Sequence, residues 1–153
     1  MIFISCSFDP YSKKYGKMAH SLFQQYGVDA YIAEHPEPGA LVDVLKAKVQ
    51  ASEALVALVT DKESPWQQTE ITWAHDMGKP VYGIVQDGVM VRGMLPYITK
   101  YETFIPTKPD TLQSAIGGVV KSIVSIREDK QLQTGILVAG LAILGLFILS
   151  QNK

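Results

Sequence analysis

Residues 54–78 read ALVALVTDKESPWQQTEITWAHDMG, and the fold turns on how this stretch is divided. Ala54 to Thr60 is a continuous apolar run that ends in one hydroxyl. A run of that length and kind predicts a strand buried on both faces, as in the middle of a parallel sheet. Ser64 then opens a helix. Its hydroxyl suits the N-cap, Pro65 suits the first helical position, and Gln67 completes a capping box. Gly78 ends the helix. The stretch is therefore a strand, a short loop and a helix.

The same unit recurs on either side. Ile2 to Ser7 predicts a buried strand and Tyr11 to Tyr26 a helix, with Tyr15, Met18, Ala19, Leu22 and Phe23 on one stripe. Val28 to Ala33 predicts a second strand. His35-Pro-Glu-Pro-Gly39 must be a loop, because two prolines and a glycine block regular structure. Leu41 to Ala51 predicts a helix, Val81 to Val85 a strand, Met90 to Leu95 a short helix and Tyr101 to Ile105 a last strand. Asp110 caps a final helix reaching about Arg127. Five strands alternating with helices across short loops imply an α/β domain with a doubly wound parallel sheet.

Composition narrows the function. The chain has 153 residues, enough for one compact domain, and its net charge of −1 leaves no basic footprint for nucleic acid. The single Cys6 can form no internal disulfide, and His20, His35 and His75 are scattered, so neither a disulfide framework nor a metal site is expected. Cys6 itself reads as a small apolar filler of a strand. No GxGxxG or P-loop pattern follows any strand, which argues against an ordinary dinucleotide-dependent dehydrogenase and a P-loop NTPase.

The C-terminus reads differently from the rest. Thr134 to Ser150 carries no charge and is apolar on every side, and as a helix it would span about 26 Å. The expectation is a transmembrane helix at 134–150 behind a linker at 128–133. It would be a single-pass C-terminal anchor in membrane lipid, with the N-terminal domain cytoplasmic. No signal peptide is expected, since the first apolar run is short and lacks a basic leader.

One carboxylate stands out. Trp66, Glu70, Trp73 and Met77 are spaced four, three and four residues apart, so they form one helical stripe with Glu70 inside an apolar face. Two readings follow. A carboxylate held among aromatics is a familiar catalytic group, and it is also what a structural Glu paired with a backbone donor would look like. Asp9 has two readings as well, a ligand for a ribose hydroxyl or a cap for the first helix. The expected ligand site lies at the carboxyl ends of the strands.

Several of these residues together resemble the TIR (Toll/interleukin-1 receptor) domain family. Phe3-Ile-Ser-Cys6 is similar to its first-strand F-I-S-Y box, with Cys in place of Tyr. Residues 29 to 45 resemble its second strand, long loop and next helix. Ser64-Pro-Trp-Gln-Gln-Thr-Glu70 matches its S-x-W-x-x-x-E box, and Gly78-Lys-Pro-Val81 its turn into the fourth strand. The resemblance spans about residues 1 to 127 and implies a flavodoxin-like, five-stranded sheet. It also implies an NAD+ nucleosidase that cleaves the nicotinamide–ribose bond, by hydrolysis or cyclisation. On that reading Glu70 is catalytic, Ser7, Phe8, Leu41 and Trp66 line the pocket, NAD is substrate and no cofactor is needed. Family members self-associate through TIR–TIR contacts, so a homo-oligomer is implied, and prokaryotic members act in antiviral defence.

The chemistry asks for little else. Nicotinamide departs from NAD+ as a neutral molecule, so one carboxylate beside the positively charged ribose suffices, with an aromatic neighbour to exclude water. Two alternatives remain. Glu70-Ile-Thr-Trp-Ala74 followed by Gly78-Lys-Pro also resembles the nucleoside 2-deoxyribosyltransferases, whose helix Glu attacks the sugar. A non-catalytic TIR adaptor that works by self-association, with residues 34–40 as its contact surface, is the other.

Overall fold

The computed structural model describes residues 1–33, 40–60, 64–91, 93 and 95–138, with residues 40, 41, 95 and 133–138 described by their backbone alone. The chain divides into two units, residues 1–120 and 121–153. The first unit holds β1 (Ile2–Cys6), α1 (Pro10–Gln25), β2 (Ala30–Ile32), α2 (Ala40–Ala51), β3 (Ala54–Val59), α3 (Pro65–Asp76), β4 (Val81–Gln86), a 3-10 turn at Leu95–Tyr97, β5 (Lys100–Phe104) and the start of α4 (Pro109–Val138). Of the short helix expected at Met90–Leu95, residues 92 and 94 lie outside the described ones, and the described helical turn falls at Leu95–Tyr97.

All five strands run parallel, in the order β2-β1-β3-β4-β5. β1 pairs along its whole length with β3, from Ile2 opposite Ala54 to Cys6 opposite Leu58, and every residue of both strands is buried. That burial is the physical meaning of the apolar run at residues 54–59: a strand covered on both faces has no side to leave polar. The strand order reverses direction between β1 and β3, and such a crevice is where open sheets bind ligands.

Strand parity sorts the core into two layers. Phe3, Leu55, Ala57 and Val81 pack with Leu45 and Val49 of α2 and with Ile71 and Ala74 of α3. The opposite face of β1 meets α1. There Gly16 lets the helix approach so closely that an added Cβ would lie 2.7 Å from the Ile32 side chain and 2.9 Å from Cys6 Sγ. Tyr15 of α1 reaches Phe104 of β5 at 5.4 Å between ring centroids. A cavity of about 120 Å³ is lined by Tyr15, Phe104 and Leu112, which puts the first turns of α4 on this side too.

Helix ends follow the local chemistry. Asp9 caps α1, Ser64 caps α3 in a full capping box, and Gly78 leaves α3 at φ +71. Lys79 Nζ donates to the carbonyls of Gln50 and Ser52, closing the C-terminal end of α2 with a cation.

The fold class expected from the sequence is corrected at its C-terminus. No helix among the described residues is long and apolar enough to cross a membrane. Residues 128–133, expected as a linker, are helical, and Thr134–Val138 continue the same helix. The described part of that helix also carries Lys121, Arg127, Glu128, Asp129 and Lys130. Residues 139–150, the larger part of the expected span, lie outside the described residues. Among the described residues, therefore, no membrane-crossing helix is added to the α/β sheet, and the expected single-pass anchor with its cytoplasmic placement is corrected to that extent.

Candidate functional site

The chemistry gathers at the carboxyl ends of β1 and β3, where α3 starts. β1 points Phe3 toward α3, so Ser5, two residues on, points the same way. Its hydroxyl donates to Glu70 Oε2 on α3. Both residues are buried, Ser5 at 1% exposure and Glu70 at 2%. Burial pushes the Glu70 carboxyl up from 4.5 to about 7, and the Ser5 hydrogen bond pulls the other way. Glu70 therefore changes charge near neutral pH, with one hydroxyl already turned toward its ionised form.

Gln67 sits one turn earlier on the same face and is fully buried. Its Nε2 donates to the carbonyl of Leu58 at 2.7 Å and to that of Ser5 at 3.2 Å. Its Oε1 accepts from the Ser64 amide and from Ser7 Oγ, each at 3.4 Å. One amide side chain thus ties the ends of β1 and β3 to the first turn of α3. Cys6 lies on the other face of β1. Burial first, then the charges of Glu70 and Asp9, hold its thiol up at about 12, so it stays protonated and inert at neutral pH.

The expected stripe of α3 is rotated. The buried face is Gln67, Glu70, Ile71 and Ala74, not Trp66, Glu70, Trp73 and Met77. Trp66 and Trp73 are half-buried on the shoulders of that face, and Trp73 and Met77 pack against the edge of the core. Glu70 is consequently buried against the sheet, with Ser5 for a partner. Of the other expected pocket residues, Ser7 is joined to Gln67 and Phe8 is half-buried against the core around Phe3. Trp66 lies one turn before Glu70 in α3. Leu41 lies in the first turn of α2, where only its backbone is described, and residues 34–39 with His35 lie outside the described residues.

The open reading of Asp9 resolves to a cap. Its carboxylate accepts from the Ser12 amide at 2.9 Å and from Ser12 Oγ at 2.7 Å, and the amide holds its pKa below the usual carboxylate range. Ser12 Oγ also meets the Thr60 hydroxyl at the end of β3. Ser5 and Gln67 are the two residues that the sequence reading passed over. Ser5 had a visible signal, a lone hydroxyl among apolar residues in a buried strand. For Gln67 the sequence signals only the capping role.

Among the described residues, no group of three or more His, Cys, Asp or Glu side chains comes together to hold a metal ion. An open groove of about 530 Å³ between α1 and the start of α4, lined by Lys17, Met18, Leu22, Pro109, Asp110 and Gln113, shares no residue with the Glu70 cluster.

No protein-family model matches the chain, and no curated protein matches it in sequence. Solved structures do match in fold. The chain is similar to a Clostridium botulinum CMP N-glycosidase, BcmB, with 16% identity, a TM-score of 0.57, and coverage of 74% of this chain and 93% of that one. It is similar to BlsM with 16% identity, a TM-score of 0.63, and coverage of 80% and 90%. A de novo designed Rossmann 2x3 protein matches with 12% identity, a TM-score of 0.50, and coverage of 79% and 88%. Likeness at such identities establishes a Rossmann-like α/β fold. That a designed protein shares it underlines that function must be argued from the site.

Proposed function

We propose that this protein is an N-glycosidase that cleaves the base–sugar bond of a nucleoside or nucleotide, with Glu70 as its catalytic carboxylate. The observation that carries this reading is a buried carboxyl at the sheet's reversal point, held by Ser5 and ionising at about 7. Such a group is costly to bury without a purpose. The fold likeness to a CMP N-glycosidase supports the same class of reaction.

The steps balance simply. Ionised Glu70 faces the anomeric carbon as positive charge develops there. The bond from that carbon to the base nitrogen breaks, and its electron pair leaves with the base, which takes up a proton. Either Glu70 only stabilises the sugar cation, or it bonds to the carbon and is displaced in the next step. Water then delivers hydroxide to the carbon and its remaining proton to solvent. A second base in place of water would make the enzyme a transferase of the deoxyribosyltransferase kind.

NAD+ as substrate is the second reading, favoured by Trp66 standing four residues before Glu70 in the TIR-like spacing. Its nicotinamide leaves neutral and takes no proton. Self-association through residues 34–40 and a defence role belong to this reading. The test is chromatography of CMP, dCMP, cytidine, deoxycytidine and NAD+ incubated with full-length protein, beside Glu70→Ala and Glu70→Gln. Free cytosine from the wild type alone supports the main reading, and free nicotinamide alone supports the second. No base released from any substrate refutes both.

A further inference from the structure

Glu70 has two carboxylate oxygens, and a reaction at one carbon uses one of them. Resting on the reading of Glu70 as catalytic, we infer that Ser5 is its positioning residue: the hydroxyl engages Oε2 and thereby assigns Oε1 to the sugar. The geometry comes from three anchors. Ser5 lies on β1, a central strand buried along its length. Its own carbonyl accepts from Gln67 Nε2, and Gln67 belongs to the same helix as Glu70. Backbone and side chain of Ser5 are therefore both tied to α3, one turn apart, through Gln67 and through Glu70.

This double tie makes the carboxylate's orientation a property of the β1–α3 contact. A lone Glu on a helix rotates freely about its side-chain bonds, and each immobilised rotor that the fold supplies in advance need not be ordered at the transition state. The same bond favours the ionised form, because a hydroxyl donates more strongly to a carboxylate than to a neutral carboxyl oxygen of equal geometry. Ser5 thus acts on the reaction twice, through Glu70 orientation and through Glu70 charge, without touching the substrate.

The experiment is a titration of the Glu70 carboxyl by carbon-13 NMR, assigned by its loss in Glu70→Gln, in the full-length wild type, Ser5→Ala and Ser5→Thr. Turnover of whichever substrate the panel identifies is followed in parallel. Ser5→Ala should raise the Glu70 midpoint by about one pH unit or more. It should also lower kcat by about 10- to 100-fold with KM changed little, and move the acid limb of the pH profile upward. Ser5→Thr, which keeps the hydroxyl, should recover both. An unmoved midpoint in a folded Ser5→Ala protein overturns the inference, as does a moved midpoint with unchanged kcat. Were Ser5→Ala to lose its fold, Ser5→Cys, close in volume and a weak donor, is titrated in its place. If no substrate is turned over, the glycosidase reading fails by itself, while the titration still decides whether Ser5 holds the charge of Glu70.

Discussion

Glu70 links burial to pH in a way that stability measurements can read. In an unfolded chain it titrates near 4.5, and in the fold near 7. Between those values the unfolded state gives up a proton that the folded state keeps, so stability falls as pH rises from about 4.5 to about 7 and then levels. The shift corresponds to roughly 3 kcal/mol. Glu70→Gln should therefore be more stable than the wild type at pH 8 by up to about that amount, with the difference gone at pH 4, as measured by urea unfolding. A difference that does not change with pH would remove the link between burial and charge. Catalysis runs the other way: activity requires the ionised form and should rise with pH through about 7. Glu70→Gln should lose nearly all of it. Gln67→Ala leaves the buried carbonyls of Ser5 and Leu58 without this donor and should cost about 2–3 kcal/mol, seen in the same unfolding assay. At this scale Glu70 was legible in the sequence as an odd carboxylate. Gln67 was not, because hydropathy cannot distinguish a solvated amide from one whose oxygen and nitrogen are both engaged by the fold.

The elements follow their local signals closely. The cap at Ser64, the proline after it, and Gly78 at the end of α3 stand where the residue types predict, and Asp9 takes the capping one of its two readings. Replacing the Ser64 hydroxyl by Ala should cost about 1 kcal/mol, measurable as a lowered unfolding midpoint in urea. Asp9→Ala should cost a similar amount at neutral pH. Because the carboxyl of Asp9 is held below its ordinary range, that contribution is present above the unfolded-state value of 3.8 and is lost as pH falls through the depressed one. Wild type and Asp9→Ala should accordingly converge in strongly acid solution. The rotational phase of α3 differs from its sequence pattern. Two tryptophans at helical spacing suggest a buried stripe, yet both sit on the shoulders, where a large ring covers core with one edge and meets solvent with the other. The narrow inner face went instead to Ile71, Ala74 and the polar pair.

At the scale of the whole molecule, the parallel sheet brings together residues 65 positions apart, Ser5 and Glu70, and its close layers depend on small residues. Gly16→Val should force α1 away from Ile32 and Cys6 and cost about 1–3 kcal/mol, checked by thermal unfolding. Uncharged composition alone suggested a membrane span at residues 134–150, whereas no helix among the described residues, which end at Val138, is long and apolar enough to cross a membrane. By itself the sequence determined the alternation of strands and helices, the caps, and the buried character of β1 and β3. These depend on residues within a few positions of one another. The tertiary structure alone decided that Ser5 holds Glu70 and that Gln67 braces β1 to β3, because each contact forms only after distant strands pair in register. Which side of α3 faces the sheet was decided in the same way: a helix's own pattern allows several phases, and the packing surface beneath it selects one.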